Sequence, residues 1–166
     1  MIIGLFAVDE AGGVGNRGGM PWPPNKEDFK WFRETTLNQA VVMGRTTWNS
    51  PDMPKPLPKR LNVVISNALA TEIPNAHAVL SGDVPKLLRF VELEYEDKDI
   101  FVIGGVNILQ QAKPALQKLY ITRIPGTYES DTQINLLSFL EGFILTNTRD
   151  LGSCKVEEYE AIQRST

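Results

Sequence analysis

The chain has 166 residues, 42% of them hydrophobic and 22% charged, with a net charge of −3 from 17 basic and 20 acidic side chains. That size and balance predict one soluble domain with a substantial core, and the lack of any basic run speaks against a nucleic-acid partner. A single cysteine, Cys154, excludes an intrachain disulfide, a single histidine, His77, argues against a histidine-based metal centre, and no apolar run is long enough to span a membrane.

Residues 1–8, MIIGLFAV, are an apolar run that predicts a strand buried on both faces. Residues 9–19 then carry five glycines in eleven positions. Such a segment has wide backbone freedom, and it reads either as a surface loop or as a mobile lid leading into Met20, Pro21 and Trp22. Pro23 and Pro24 cannot continue a helix but lead well into one, and Asn25 is a good N-cap for a helix over 26–36. On that helix Asp28, Phe32 and Thr35 fall at i, i+4 and i+7, with Trp31 beside them, so one acid shares a face with aromatic rings. Burial there would raise its pKa unless donors or a cation offset it, which suits a carboxylate that binds a cationic heterocycle or assists a proton transfer. Three residues after its cap, the same acid can equally be one that complements the helix N-terminus.

Residues 40–43 predict a second buried strand, and Gly44 turns the chain into a short helix opened by Arg45, Thr46 and Thr47. Strand, glycine and helix with a basic residue and hydroxyls is how α/β folds present amides to phosphate, although an ordinary N-cap explains the same residues. Residues 51–60 hold four prolines and three cations and predict a stiff loop anchored by Leu57. Arg60 at its end can clamp a carboxylate or simply face solvent. A third strand over 61–66 ends at Ser66 and Asn67, and a fourth is expected over 78–80. Val84, Leu87, Leu88 and Val91 mark an amphipathic helix from Asp83 to about Tyr95, read as packing alone. A fifth buried strand over 100–103 runs into Gly104-Gly105 and a helix over 106–112, a junction where backbone can approach a ligand closely. It lacks the GxGxxG spacing, which disfavours an ordinary dinucleotide fold. A sixth strand covers 118–124 and contains Thr122, and the tail over 143–150 and 155–164 predicts a closing antiparallel pair.

Together these stretches resemble dihydrofolate reductase of the bacterial chromosomal type, nearly end to end. The carriers are AVD at 7–9, VG and MPW within 14–22, the acid and WF within 28–32, VVMGRTTW at 41–48, PLPKR at 56–60, VVIS at 63–66, VIGG at 102–105, LYITRI at 119–124 and DT at 131–132. The resemblance implies a three-layer α/β/α sandwich whose eight-stranded, mostly parallel sheet has an antiparallel C-terminal strand. It implies a single domain over 1–166, with an adenosine-binding part at roughly 40–90. It further implies NADPH-dependent reduction of 7,8-dihydrofolate to tetrahydrofolate, serving one-carbon metabolism and thymidylate synthesis. The expected protein is a cytoplasmic monomer that binds dihydrofolate and antifolates but no nucleic acid, membrane or metal.

Carried over by position, the resemblance makes Asp28 the pteridine-site acid and Thr122 the hydroxyl that bonds to it, directly or through water. Trp22 anchors the lid and positions a water, and Met20 belongs to the lid. Ile3, Leu5, Phe29, Phe32, Pro51, Leu57 and Ile103 match the walls around the pteridine and benzoyl rings, and Arg60 matches the partner of the folate α-carboxylate. For NADPH, Gly44, Arg45, Thr46 and Thr47 match one phosphate-binding turn, and Gly104, Gly105, Val106, Asn107 and Ile108 match the other, where a cis Gly-Gly peptide is expected. Ser66 and Asn67 match the adenosine 2′-phosphate side, Leu5 and Val14 flank the nicotinamide, and Ile103 is also expected among the cofactor-binding residues. The departures are Gly12-Gly13 in the lid, a longer 51–58 loop with Pro51 in place of a flexible aliphatic residue, Leu109 in place of a tyrosine and Asn107 in place of a second arginine. A reductase of another pterin or of a ribosylamino-pyrimidine, and a noncatalytic scaffold that keeps the fold, are the competing readings.

Overall fold

The computed structural model of the chain describes residues 1–162. Its strands are β1 (Ile2–Val8), β2 (Gly13–Gly15), β3 (Ala40–Gly44), β4 (Leu61–Ile65), β5 (Ala78–Leu80), β6 (Ile100–Gly104), β7 (Lys118–Arg123), β8 (Thr132–Gln133), β9 (Phe143–Asp150) and β10 (Lys155–Ala161). Its helices are α1 (Lys26–Thr36), α2 (Arg45–Trp48), α3 (Val84–Glu94), α4 (Val106–Ala112) and α5 (Leu136–Phe139). Eight strands make one sheet in the order β5-β4-β3-β6-β1-β7-β10-β9. All neighbours are parallel except β10, which runs antiparallel to both β7 and β9. This is the expected eight-stranded, mostly parallel sheet with an antiparallel C-terminal strand, and helices pack around it. Gln163 and Arg164, the last two residues of the expected closing strand, lie outside the described residues.

The two-residue period of the strands divides the core into two layers. Ile2, Phe6 and Val8 of β1, Val42 of β3 and Ile100 and Val102 of β6 face one layer, where α3 and α4 add Val84, Leu88, Val91, Leu109 and Ala112. Ile3 and Leu5, Val41 and Met43, and Phe101 face the other, where Trp31 of α1 and Trp48 of α2 cover them. The central strands therefore carry apolar side chains on both faces, which is why they read as unbroken hydrophobic runs rather than alternating ones. α1 begins and ends where its caps and apolar spacing predict. The side chains it buries are Asp28, Trp31 and Thr36, while Phe32 and Thr35, on the face of Asp28, are half-buried.

Two short elements were not legible. The glycine-rich 9–19 segment is not a plain loop: β2 within it pairs with β8, and Asn16 bridges Gly19. α5 is a four-residue helix capped by Asn135, whose side chain accepts from the Ser138 amide.

The chain order sets the site. From β1 the chain crosses to β3 and moves outward through β4 and β5, then returns to insert β6 between β3 and β1. In open α/β sheets, ligands bind outside the carboxyl ends of the strands where the order reverses. Here those ends bring Gly44 of β3 and Gly104 of β6 together, with Met43 in register with Gly104.

Candidate active site

The candidate site is built around one carboxylate, Asp28. Asn25 is the N-cap of α1, and its Oδ1 accepts from the Asp28 backbone amide at 2.9 Å. The capping role therefore belongs to Asn25 and leaves the Asp28 side chain free. That side chain is buried and turns toward β7, where the Thr122 hydroxyl donates to its Oδ1 at 2.9 Å. Register explains the meeting. Thr122 pairs with Ala7 on β1 and Val156 on β10, and its neighbour Ile121 faces the opposite core layer, so Thr122 must face α1. Among the described residues no cation pairs with Asp28. Burial pushes its pKa above the usual carboxylate range, and the Thr122 bond pulls it part of the way back. Asn25 thus caps the Asp28 amide, while the Asp28 carboxylate is held inside against Thr122.

Trp22 is buried against Ile124 and Cys154, with Met20 and Ala7 packed around them. Its indole Nε1 is a fully buried donor with no partner among the described residues. A buried N–H left unsatisfied costs about 1–3 kcal/mol, so this atom suits an ordered water or a ligand as acceptor.

Arg60 is buried, not solvent-facing. Its Nε donates to the Pro58 carbonyl at 2.9 Å and its Nη1 to Thr36 Oγ1 at 3.0 Å, and its guanidinium lies 5.9 Å from the centre of the Phe32 ring. No carboxylate among the described residues pairs with it. Burial and the nearby Arg33 lower its pKa, which is what a cation lacking its anion shows. Leu57 is buried beside this group, and its amide and carbonyl are both held by the Asn62 side chain. Ile3 and Leu5 are buried, Phe32 and Ile103 are half-buried, and Phe29 is 42% exposed. Pro51 is exposed and stands against the lid at Gly18, apart from the buried walls. A shallow groove of about 470 Å³, lined by Pro56–Leu61, Asn38, His77 and Lys98, lies on the outer side of Leu57 and Arg60.

The lid is tied down by three acids that sequence reasoning missed. Asp9 is buried at the end of β1, where its carboxylate accepts from the amides of Ala11 (2.9 Å), Gly13 (2.8 Å) and Tyr128 (3.1 Å). Asp52 Oδ2 accepts from the Met20 amide at 3.0 Å. Asp131 Oδ2 accepts from the Arg17 amide at 2.8 Å, and that bond holds its carboxyl below the usual range. Their only sequence signal is acidic side chains set beside glycine-rich backbone. Val14, within β2, packs partly against the core.

Two glycine turns face each other across the carboxyl ends of β3 and β6. The Gly104–Gly105 peptide is cis, as expected, and Gly104 has φ +136°. A Cβ on Gly44 would stand 2.8 Å from Ile108 Cγ1, and one on Gly104 would stand 3.2 Å from Thr47 Oγ1. Only glycines allow the two segments to close this far. Gly44 and Gly105 cap α2 and α4 without any side-chain bond, so the amides of Arg45, Thr46, Val106 and Asn107 are not occupied by a capping side chain. Backbone donors, the Thr46 and Thr47 hydroxyls and the half-exposed Arg45 form a donor set that fits a phosphorylated dinucleotide. Ser66 Oγ accepts from the Ala68 amide at 3.1 Å, which leaves its own proton available. Asn67 Oδ1 already accepts from the Ser81 hydroxyl at 2.6 Å, and Asn107 Oδ1 from Gln111 Nε2 at 3.0 Å. Leu109 is buried in the core beside Gly4.

The dihydrofolate reductase family model matches residues 1–161. The mouse dihydrofolate reductase is 34% identical over 140 residues, which cover 77% of this chain and 75% of that protein. The chicken enzyme is 30% identical over 171 aligned positions, covering 96% and 90%. The solved structure of dihydrofolate reductase from Enterococcus faecalis, complexed with NADP(H) and RAB-propyl, superposes with a TM-score of 0.79 at 26% identity and covers 97% of this chain and 96% of its own.

Proposed function

This chain belongs to the dihydrofolate reductase family, and on that premise we propose how its own residues carry out the NADPH-dependent reduction of 7,8-dihydrofolate to tetrahydrofolate. The observation that carries the assignment of roles is the buried Asp28 carboxylate, bonded to Thr122 and paired with no cation.

Asp28 accepts hydrogen bonds from the pteridine amino group and the adjacent ring nitrogen. The negative charge it presents to one edge of the ring raises the basicity of the distant nitrogen that is to be protonated. Thr122 fixes the carboxylate orientation and stabilises its ionised form. Trp22 Nε1 orders the water that delivers the proton. Met20 and the lid exclude bulk solvent from the reacting carbons, held down by Asp9, Asp52 and Asp131. Ile3, Leu5, Phe29, Phe32, Leu57 and Ile103 line the ring site, with Pro51 at its lid edge. Arg60 receives the α-carboxylate at the far end, where its planar fork suits two oxygens.

NADPH, when bound, supplies the hydride. Gly44, Arg45, Thr46 and Thr47 and the Gly104–Ile108 turn hold its phosphates, Ser66 and Asn67 face its adenosine 2′-phosphate, and Leu5, Val14 and Ile103 lie toward its nicotinamide. The glycine approach at 44 and 104 supports this placement. The working protein is a cytoplasmic monomer of one domain, with its adenosine-binding part at roughly 40–90, and its partners are dihydrofolate and antifolates. No helix among the described residues is long and apolar enough to cross a membrane.

The deciding experiment follows NADPH oxidation with dihydrofolate, with and without methotrexate, in the wild type and in Asp28→Asn. Inhibitor-sensitive turnover that collapses in the variant, with NADPH binding retained, supports the roles given. Equal loss of NADPH binding in the variant would remove Asp28 from the pteridine side.

A further inference from the structure

The adenosine end of the cofactor site carries an acid that phosphate binding does not need. Arg45 opens α2 at the carboxyl end of β3, and Ser66 and Asn67 follow the adjacent strand β4. Glu72 closes the 3-10 turn Ala70–Glu72 that comes next in the chain, and its Oε2 lies 3.9 Å from Arg45 Nη1. Both side chains are about half exposed, and the Arg45 guanidinium makes no hydrogen bond among the described residues, only this long ion pair.

We propose that Glu72 sets how strongly this chain prefers a 2′-phosphorylated dinucleotide over the same dinucleotide without that phosphate. The inference rests on the reading of Arg45, Ser66 and Asn67 as the 2′-phosphate side. A phosphomonoester carries between one and two negative charges near neutrality. Arg45 is the cation offered to it, and Glu72 already stands against one nitrogen of that guanidinium. Phosphate and carboxylate therefore compete for one fork and repel each other across it. The neighbouring side chains do not relieve the competition. Ser66 Oγ and Asn67 Nδ2 can donate to the phosphate but carry no charge, and Asn107 brings no second positive charge. A dinucleotide with a free 2′-hydroxyl places no charge beside Glu72 and is indifferent to it. Glu72 thus lowers affinity for one cofactor class and spares the other. An ordinary surface ion pair, worth little by itself, would change neither.

The test is an equilibrium titration of NADPH, NADH and adenosine 2′,5′-bisphosphate against the wild type, Glu72→Gln, Arg45→Ala and the double variant, read by tryptophan fluorescence or heat at two salt concentrations. Glu72→Gln is expected to tighten NADPH and the bisphosphate by about fivefold, the scale of an exposed charge interaction, and to leave NADH unchanged within about twofold. The gain should shrink as salt is raised, because the repulsion acts through solvent. Arg45→Ala should weaken NADPH and the bisphosphate about tenfold or more and blunt the effect of Glu72→Gln in the double variant. An unchanged NADPH-to-NADH ratio in Glu72→Gln, with a collapsed ratio in Arg45→Ala, would overturn the role of Glu72 and leave the phosphate site standing. Equal tightening of both dinucleotides would also overturn it, because Glu72 would then act on something other than the 2′-phosphate. An unchanged ratio in Arg45→Ala would overturn the phosphate reading and the inference with it.

Discussion

Asp28 is a residue whose chemistry costs the protein stability. Burial raises its pKa above the value it has in the unfolded chain, so between those two values the folded state holds more protons than the unfolded state. Stability therefore falls as pH rises through that window, and above it the chain carries a buried charge compensated chiefly by Thr122. Asp28→Asn removes the charge and keeps an oxygen that can accept from Thr122. It is expected to raise the melting temperature at pH 7 and to flatten the pH dependence of stability above pH 4, while turnover falls about a hundredfold, the scale of a positioned acid–base group. Thermal melts across pH, paired with steady-state rates, check both halves, and an unchanged or lower melting temperature at pH 7 would mean that the buried charge is better compensated than Thr122 alone allows. Thr122→Val removes the one side-chain donor to the acid among the described residues. It should push the Asp28 pKa further up, because a bond to the charged form is lost. Carbon NMR of the carboxyl reads that shift directly. The sequence exposed the acid and its aromatic face but could not say whether it capped the helix or served a ligand. Only the fold separates backbone from side chain here, since Asn25 caps the amide while the carboxylate meets a hydroxyl 94 residues away, which supports the ligand role proposed for it. Arg60 was open in the same way until burial and its bonds to Thr36 and Pro58 showed it held inside.

Among the elements, the lid is held by bonds rather than by buried apolar area. β2 and β8 pair over only two or three residues each, and the remaining ties are the Glu10 amide to the Gly126 carbonyl and backbone amides to carboxylates. Asp9 joins two segments, because its Oδ1 takes Ala11 and Gly13 within the lid and its Oδ2 takes Tyr128 across the gap. An asparagine there has one acceptor and one donor group, so in either orientation at least one amide would face an N–H. Asp9→Asn is expected to slow the hydride-transfer step about tenfold, as expected when reacting groups lose alignment, while dihydrofolate binding stays close to normal. Single-turnover kinetics compared with the dihydrofolate dissociation constant tests this, and unchanged single-turnover rates would show that the lid does not depend on Asp9. The other tie at the site joins the β9–β10 turn to α1: the Ser153 hydroxyl donates to Asn25 Oδ1 at 3.1 Å, the same oxygen that caps Asp28. None of this was legible beforehand. Helices announce themselves by period and cap, whereas the lid ties made by Asp131 to Arg17 and by Asp9 to Tyr128 join segments more than a hundred residues apart and leave only glycines and acids in the local sequence.

For the whole molecule, the core and the cleft obey different rules, and this decides how much of each the sequence reveals. The strand runs were legible because each buries both faces between two helical layers, and the helices because their apolar faces recur every three or four residues. The order β3-β6-β1 was not written in any local pattern, yet it brings Gly44 beside Ile108 and Gly104 beside Thr47 and so builds the cofactor turns. The same arrangement places α1 and its acid over one face of the sheet, with Arg60 beyond Phe32 at the far end. A ligand that spans from Asp28 to Arg60 must therefore touch both α1 and the 56–60 segment and brace them against the sheet. Methotrexate at about a thousand times its dissociation constant should stabilise the native state by about 4 kcal/mol. For a chain of this size that corresponds to a rise in melting temperature of roughly 8–16 °C. Arg60→Ala should cut the rise by several degrees, because losing a charge-assisted bond to a buried carboxylate costs about 1.5–3 kcal/mol. Differential scanning calorimetry with saturating inhibitor measures both. A full rise in Arg60→Ala would place the far end of the ligand away from Arg60, and no rise in the wild type would separate this fold from the folate chemistry of its family.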